Sequence, residues 1–153
     1  MNVLHLVWHR LNEITHLHFK SESGSLSSKS GWNGTGDGFV QVDRQQKIIT
    51  FKENGAWNTS EGKQLVFRNI FRWTYKQEEA VISLEHLRFG VSRPVFLFDL
   101  GMGQIDNQLV SVEPHICVED TYTGRLDIQT DGFDLHWNIK GPRKNEHIHY
   151  QYR

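Results

Sequence analysis

From Gly31 to its C-terminus the chain is written almost entirely in strand period, and no amphipathic helical segment separates the strands. Gln64 to Tyr75 shows the pattern: Phe67, Phe71, Trp73 and Tyr75 share one parity, and Arg68 and Arg72 share the other. Further strand text runs over Trp32–Asp43, Lys47–Trp57, Ala80–Phe89, Val95–Leu100, Gln108–Glu113, His115–Thr130, Gly132–Lys140 and Glu146–Tyr152. Turn signals separate these runs, among them Arg44-Gln45-Gln46, Gln77-Glu78-Glu79 and Gly141-Pro142, while Asn54-Gly55 reads as a turn or bulge. Without βαβ units a parallel sheet is not expected. About nine or ten short antiparallel strands must then deal with their edges, and closing into a barrel removes them. Gly34, Gly36 and Gly38 fall on one parity, a pattern expected where a strand bends or a neighbour approaches closely. The expectation is an all-β, single antiparallel up-and-down barrel with a short N-terminal helix, and a two-sheet sandwich is the competitor.

The helix is read over residues 1–12, where Val3, Leu4, Val7, Trp8 and Leu11 form one face. Thr15, Leu17 and Phe19 then alternate as a strand. Residues 21–30 contain six serines and read as a flexible surface loop. The 153 residues are expected to form one domain, 1–153. A formal net charge of -1 argues against nucleic acid as a partner. No apolar run reaches the roughly 20 residues that span a bilayer. One cysteine excludes an internal disulfide framework. With no signal-peptide pattern at the N-terminus, a reduced, cytoplasmic location is expected, and self-association is left open.

The candidate chemistry lies in three groups. Across the last long strands, Ile116, Val118, Asp120 and Tyr122, then Phe133, Leu135, Trp137 and Ile139, then Ile148, Tyr150 and Tyr152 mark the core parity. The other parity would put His115, Cys117, His136 and His149 on a common face, either as solvent-facing residues or as the lining of a polar cavity. His5 and His9, His16 and His18, and His147 and His149 are spaced so that each pair shares a face. None comes with a carboxylate at a recognised ligand offset, so no metal site is expected. In the second group Arg68 and Arg72 share a strand face, and His86 and Arg88 share a face on the following strand. Such arginines would anchor a carboxylate or phosphate, or else pair with Glu78, Glu79 or Glu85 on the surface. The third group is the Gly141-Pro142-Arg143-Lys144 corner, where Arg143 is expected to fold inward onto Asp120 or Tyr122 and Lys144 to be solvated. Cys117 with His115 lacks a glycine-rich turn for an oxyanion hole, there is no Gly-x-Ser-x-Gly elbow, and the Gly34–Gly38 glycines open no helix.

Several of these segments together resemble an uncharacterised bacterial family of small calycin-like domains of unknown function. They are Phe71-Arg72-Trp73, the strand His115-Ile116-Cys117-Val118-Glu119-Asp120-Thr121-Tyr122, the segment from Trp137 to Gly141-Pro142-Arg143-Lys144, and the closing Tyr150-Gln151-Tyr152-Arg153. The strand Gly34–Phe39 and the Glu53-Asn54-Gly55 turn fit the same likeness, which covers most of the chain from Gly31 onward. The resemblance implies a calycin-like barrel without an assigned activity. It directs attention to Arg72, His115, Cys117, Asp120, Tyr122, Trp137, Arg143 and Lys144.

The leading functional expectation is a binding module: a barrel whose cavity takes a small, partly apolar, anionic molecule. Arg72 and Arg88 would hold the anionic end and Trp73, Tyr122 or Trp137 would form walls. The alternative is an enzyme using His115 or His136 for acid–base work. A third reading, from the histidine content, is haem or another tetrapyrrole held by an axial histidine.

Overall fold

The computed structural model describes residues 2–23 and 33–153. Helix α1 (Val3–Leu11) opens the chain, followed by β1 (His16–Ser23), β2 (Gly34–Gln45), β3 (Ile48–Thr59) and β4 (Gln64–Lys76). Next come β5 (Val81–His86), β6 (Val95–Met102), β7 (Gln108–Ser111), β8 (His115–Cys117), β9 (Asp120–Gln129), β10 (Gly132–Lys140) and β11 (Asn145–Tyr152). Every pairing is antiparallel, and β1 through β7 pair in chain order. Pairing of β9 with β10, β10 with β11 and β11 with β1 closes the circle into an up-and-down barrel. Since β10 occupies one edge of β9 throughout, β7 and β8 share the other, at Val110–Gln108 and Cys117–His115. They act as one wall strand interrupted at residues 112–114, so ten strands enclose the core.

Alternation explains the interior. Phe51, Phe71, Trp73, Ile82, Leu84, Phe98, Leu126, Phe133, Leu135 and Tyr152 are all buried there. Trp73 is fully buried at the centre, 5.6 Å from Phe51 and 5.9 Å from Phe133 between ring centroids. It is part of the core, not of a pocket wall. Glycines face the same interior: Gly38 and Gly55 are directly opposite across β2 and β3, and a Cβ on either would approach the Phe67 ring. Asn54-Gly55 is therefore the middle of a long strand and not a turn. Residues 21–23 likewise extend β1, and the rest of the expected serine loop, 24–30, lies outside the described residues.

The helix seals one end. Asn2 caps it, its side-chain oxygen accepting from the His5 N–H at 3.0 Å. Leu4, Val7, Trp8 and Leu11 are buried against the barrel end, where Trp8 meets Tyr75 edge-on. The Arg10 guanidinium donates to the carbonyls of Gln129 and Gly132, at the turn joining β9 to β10. Arg10→Ala is expected to cost about 1–3 kcal/mol, because those carbonyls lose a charged donor. Thermal unfolding checks this, and an unchanged midpoint would mean that the apolar face alone holds the helix. Among the described residues no helix is long and apolar enough to cross a membrane.

Candidate functional site

A cavity of about 610 Å3 occupies the end of the barrel away from the helix. Unequal strand lengths open it. β5 pairs with β4 only from Phe71 to Lys76, so the earlier half of β4 has no strand on that side. The segment after β5 partly covers this gap, with Leu87 N donating to the Ile70 carbonyl at 2.8 Å. Arg68, Asn69 and Ile70 form one lip, and Leu87, Arg88 and Phe89 the other. Arg68 and Arg88 are both exposed there. The Arg88 guanidinium lies over the Phe89 ring at 4.9 Å, and Arg93 approaches the same ring at 5.6 Å.

Inside, the walls are aromatic. Trp137 and Tyr150 stack with centroids 5.9 Å apart, and Phe19 meets Phe67 edge-on at 5.3 Å. His86 stacks on Phe71 at 4.6 Å. Its burial, reinforced by the Arg88 cation, pushes the imidazole pKa down to about 4, so it is neutral at ordinary pH. Glu146 is buried in the same wall, and its Oε1 has no hydrogen-bond partner among the described residues. The same holds for Trp137 Nε1. Buried polar atoms without partners are costly, and a polar group entering the cavity would relieve that cost.

A second polar buried group lies deeper. Glu53 of β3 is 1% exposed, and the Tyr152 hydroxyl donates to its Oε2 at 2.6 Å. Burial drives its pKa up to about 8, against the opposing pull of the Tyr152 hydrogen bond. Burial, with Glu53 alongside, raises the hydroxyl pKa values of Tyr150 and Tyr152 well above their ordinary value.

The outer wall carries the histidine face. His136 of β10 is directly opposite His149 of β11, with ring centroids 4.1 Å apart, and His147 also stacks with His136, at 5.3 Å. His136 Nδ1 and His147 Nε2 are 3.1 Å apart, and His149 Nε2 is 3.2 Å from Asp134 Oδ2. Partial burial, then the neighbouring His149 and Arg125, hold His136 down to a pKa of about 4. His147 is lowered by burial and His149.

The expected common face is thus split. His136 and His149 meet outside, whereas His115 sits between Phe96 and Tyr122, and Cys117 is exposed apart from both. The reason is a tight turn at Val118-Glu119, with Val118 at φ 59, which folds the expected single strand 115–130 into the β8–β9 hairpin. His115 consequently faces Tyr122, and Cys117 faces Asp120. The apolar parity is outward on β8, where Ile116 and Val118 are exposed. Tyr122 is half-buried, with its hydroxyl pKa raised by burial. Arg72 points outward and binds Glu85 through Nε and Nη2, at 3.0 and 2.9 Å. Arg143 is exposed and makes no clamp among the described residues; Lys144 is the cation near Asp120, at 3.8 Å. Of the residues singled out from sequence, Arg68, His86, Arg88 and Trp137 line the cavity together. Phe19, Phe67, Asn69 and Glu146 line it without having been singled out. Glu146 had a legible signal, an acid on the parity of Ile148, Tyr150 and Tyr152.

The barrel from its first strand to the C-terminus, residues 16–153, matches DUF6314. The chain belongs to this family of unknown function. The match takes in β1, which lies ahead of the part covered by the resemblance in sequence, and leaves α1 outside. No curated protein and no solved structure matches the chain.

Proposed function

We propose that this barrel binds a small, partly apolar anionic molecule in the cavity away from the helix. One observation carries the reading: an aromatic-walled space of about 610 Å3 whose lips bear Arg68 and Arg88. Pockets for small ligands are mostly apolar with a few placed polar groups, and guanidinium groups suit carboxylates and phosphates. Arg72, tied to Glu85 on the outer face, takes no part. The buried Glu146 carboxylate would repel an anionic head inside, so the head belongs at the lips. A hydrogen-bond donor on the inner part of the ligand would then meet Glu146 or Asn69.

The enzyme reading needs a histidine that is both in a cleft and oriented by an acid. His86 is in the cavity but has no hydrogen-bonded acid among the described residues, and His149 has Asp134 but lies on the outer wall. Binding without chemistry is therefore favoured. Titration with 8-anilinonaphthalene-1-sulfonate, an aromatic anion, tests it. Saturable binding is expected, weakened about tenfold or more in a double Arg68→Ala, Arg88→Ala variant, a loss of about 1.4 kcal/mol or more. Binding that ignores both arginines, or no binding, would remove the proposal. If added haem gives a shifted Soret band that disappears in His86→Ala, a tetrapyrrole replaces the small anion as ligand.

A further inference from the structure

The outer histidine face has a geometry that surface charge alone does not explain. Alternation along β10 and β11 sends Leu135, Trp137, Ile148 and Tyr150 inward, so Asp134, His136, His147 and His149 all point outward. Register then brings them together, with His136 opposite His149. One ligand atom from each of Asp134, His136 and His149 lies within 4.8 Å of the others. Donors around a tetrahedral zinc ion are about 3.4 Å apart, given metal–ligand bonds of about 2.0–2.1 Å. Small ring and carboxylate rotations cover the difference, and all three side chains keep some exposure to solvent.

The groups around the trio help to position it. Arg153 Nη2 is 2.9 Å from Asp134 Oδ1, which leaves Oδ2 turned to His149. Asp127 Oδ2 is 3.9 Å from His136 Nε2 and is itself held by Arg125 at 3.0 Å. Carboxylates beside ligating imidazoles commonly orient the ring and strengthen it as a donor. His147 stands next to the trio as a third imidazole. From the neighbouring strand β1, Lys20 and Glu22 face His149 and His147 and pair with each other at 2.8 Å.

We propose that Asp134, His136 and His149 form a binding site for a borderline divalent transition-metal ion of the zinc class on the outer wall of the barrel. Imidazole nitrogen with one carboxylate oxygen suits Zn2+, Co2+ or Ni2+, and not the all-oxygen preference of Ca2+ or Mg2+. The site bridges β10 and β11, so a bound ion would also pin that pairing.

The test uses untagged full-length protein stripped with a chelator, because a polyhistidine tag would mask the signal. Zn2+ is titrated in competition with a chromophoric chelator, and Co2+ is followed by its visible absorption. One ion per chain with micromolar or tighter affinity is expected, with a Zn2+-dependent rise in melting temperature. His136→Gln and His149→Gln are each expected to weaken binding about tenfold or more. Asp134→Asn serves as a third variant, and melting of each metal-free variant shows that it is folded. His9→Gln, on α1 and outside the trio, is expected to bind as the wild type does. No binding tighter than about 100 μM, or tight binding that survives either histidine substitution in a folded variant, would overturn the site.

Discussion

At about pH 9 the Glu53→Gln variant is expected to melt roughly 5–10 °C above the wild type, and at about pH 5 the two are expected to melt within a few degrees of each other. Glu53 sits in the barrel interior with a pKa raised from 4.5 to about 8 by burial. A carboxyl whose folded pKa lies above its unfolded value holds its proton more tightly in the native state. Its contribution to stability is complete below about pH 4.5 and drains away as pH rises through about 8. The cost of ionising it inside the barrel is on the order of a few kcal/mol. Glutamine has the same shape, still accepts from Tyr152, and has no proton to lose. His86 and His136 act in the opposite direction. Each is depressed from 6.5 to about 4, so each supplies stability above about pH 6.5 that is lost as pH falls through about 4. The wild type should therefore be most stable between these limbs, and only the alkaline limb should flatten in Glu53→Gln. Parallel melting profiles across the whole range would show that Glu53 is not the group responsible.

The same residue marks the boundary of what sequence reveals. Strand period, the core parity of β4, β10 and β11, and the amphipathic helix follow from local alternation, and each is found where that alternation puts it. Glu53 and Glu146 break an apolar parity, and such a break is the sequence sign of a buried acid. A charged residue near Asn54-Gly55 nevertheless reads locally as a turn, because the long pairing of β2 with β3 is a tertiary fact. The β8–β9 hairpin is hidden for the opposite reason. Val118-Glu119 has no turn chemistry, and Val118 at φ 59 adopts a conformation that only the surrounding ladder can impose. That one reversal separates His115 and Cys117 from His136 and His149. The cavity, in turn, exists because β5 is shorter than β4, and strand length is set by which partner is present rather than by either sequence.

Gly55→Ala is expected to destabilise the barrel by at least about 3 kcal/mol, beyond the range of an ordinary surface change. A Cβ at Gly55 would lie 2.1 Å from the Asp37 carbonyl oxygen and 2.6 Å from Gly38 Cα, both backbone atoms of the paired strand. Neither can turn aside as a side chain could, so β2 and β3 must move apart where their ladder is continuous. The Phe67 ring, 2.8 Å from the same point, must shift as well. Phe67 packs on Phe19, and both rings wall the cavity, so the damage reaches the proposed binding site. Gly103→Ala is the control: its Cβ would meet only the Val110 side chain, at 3.1 Å, and a loss below about 1 kcal/mol is expected. Urea unfolding of both variants, with anilinonaphthalenesulfonate binding measured under native conditions, separates the effects. Equal stability loss in the two variants would mean that the facing glycines are not what lets β2 and β3 approach. A large loss confined to Gly55→Ala, with weakened dye binding, would tie the bend in the sheet to the aromatic wall it makes room for.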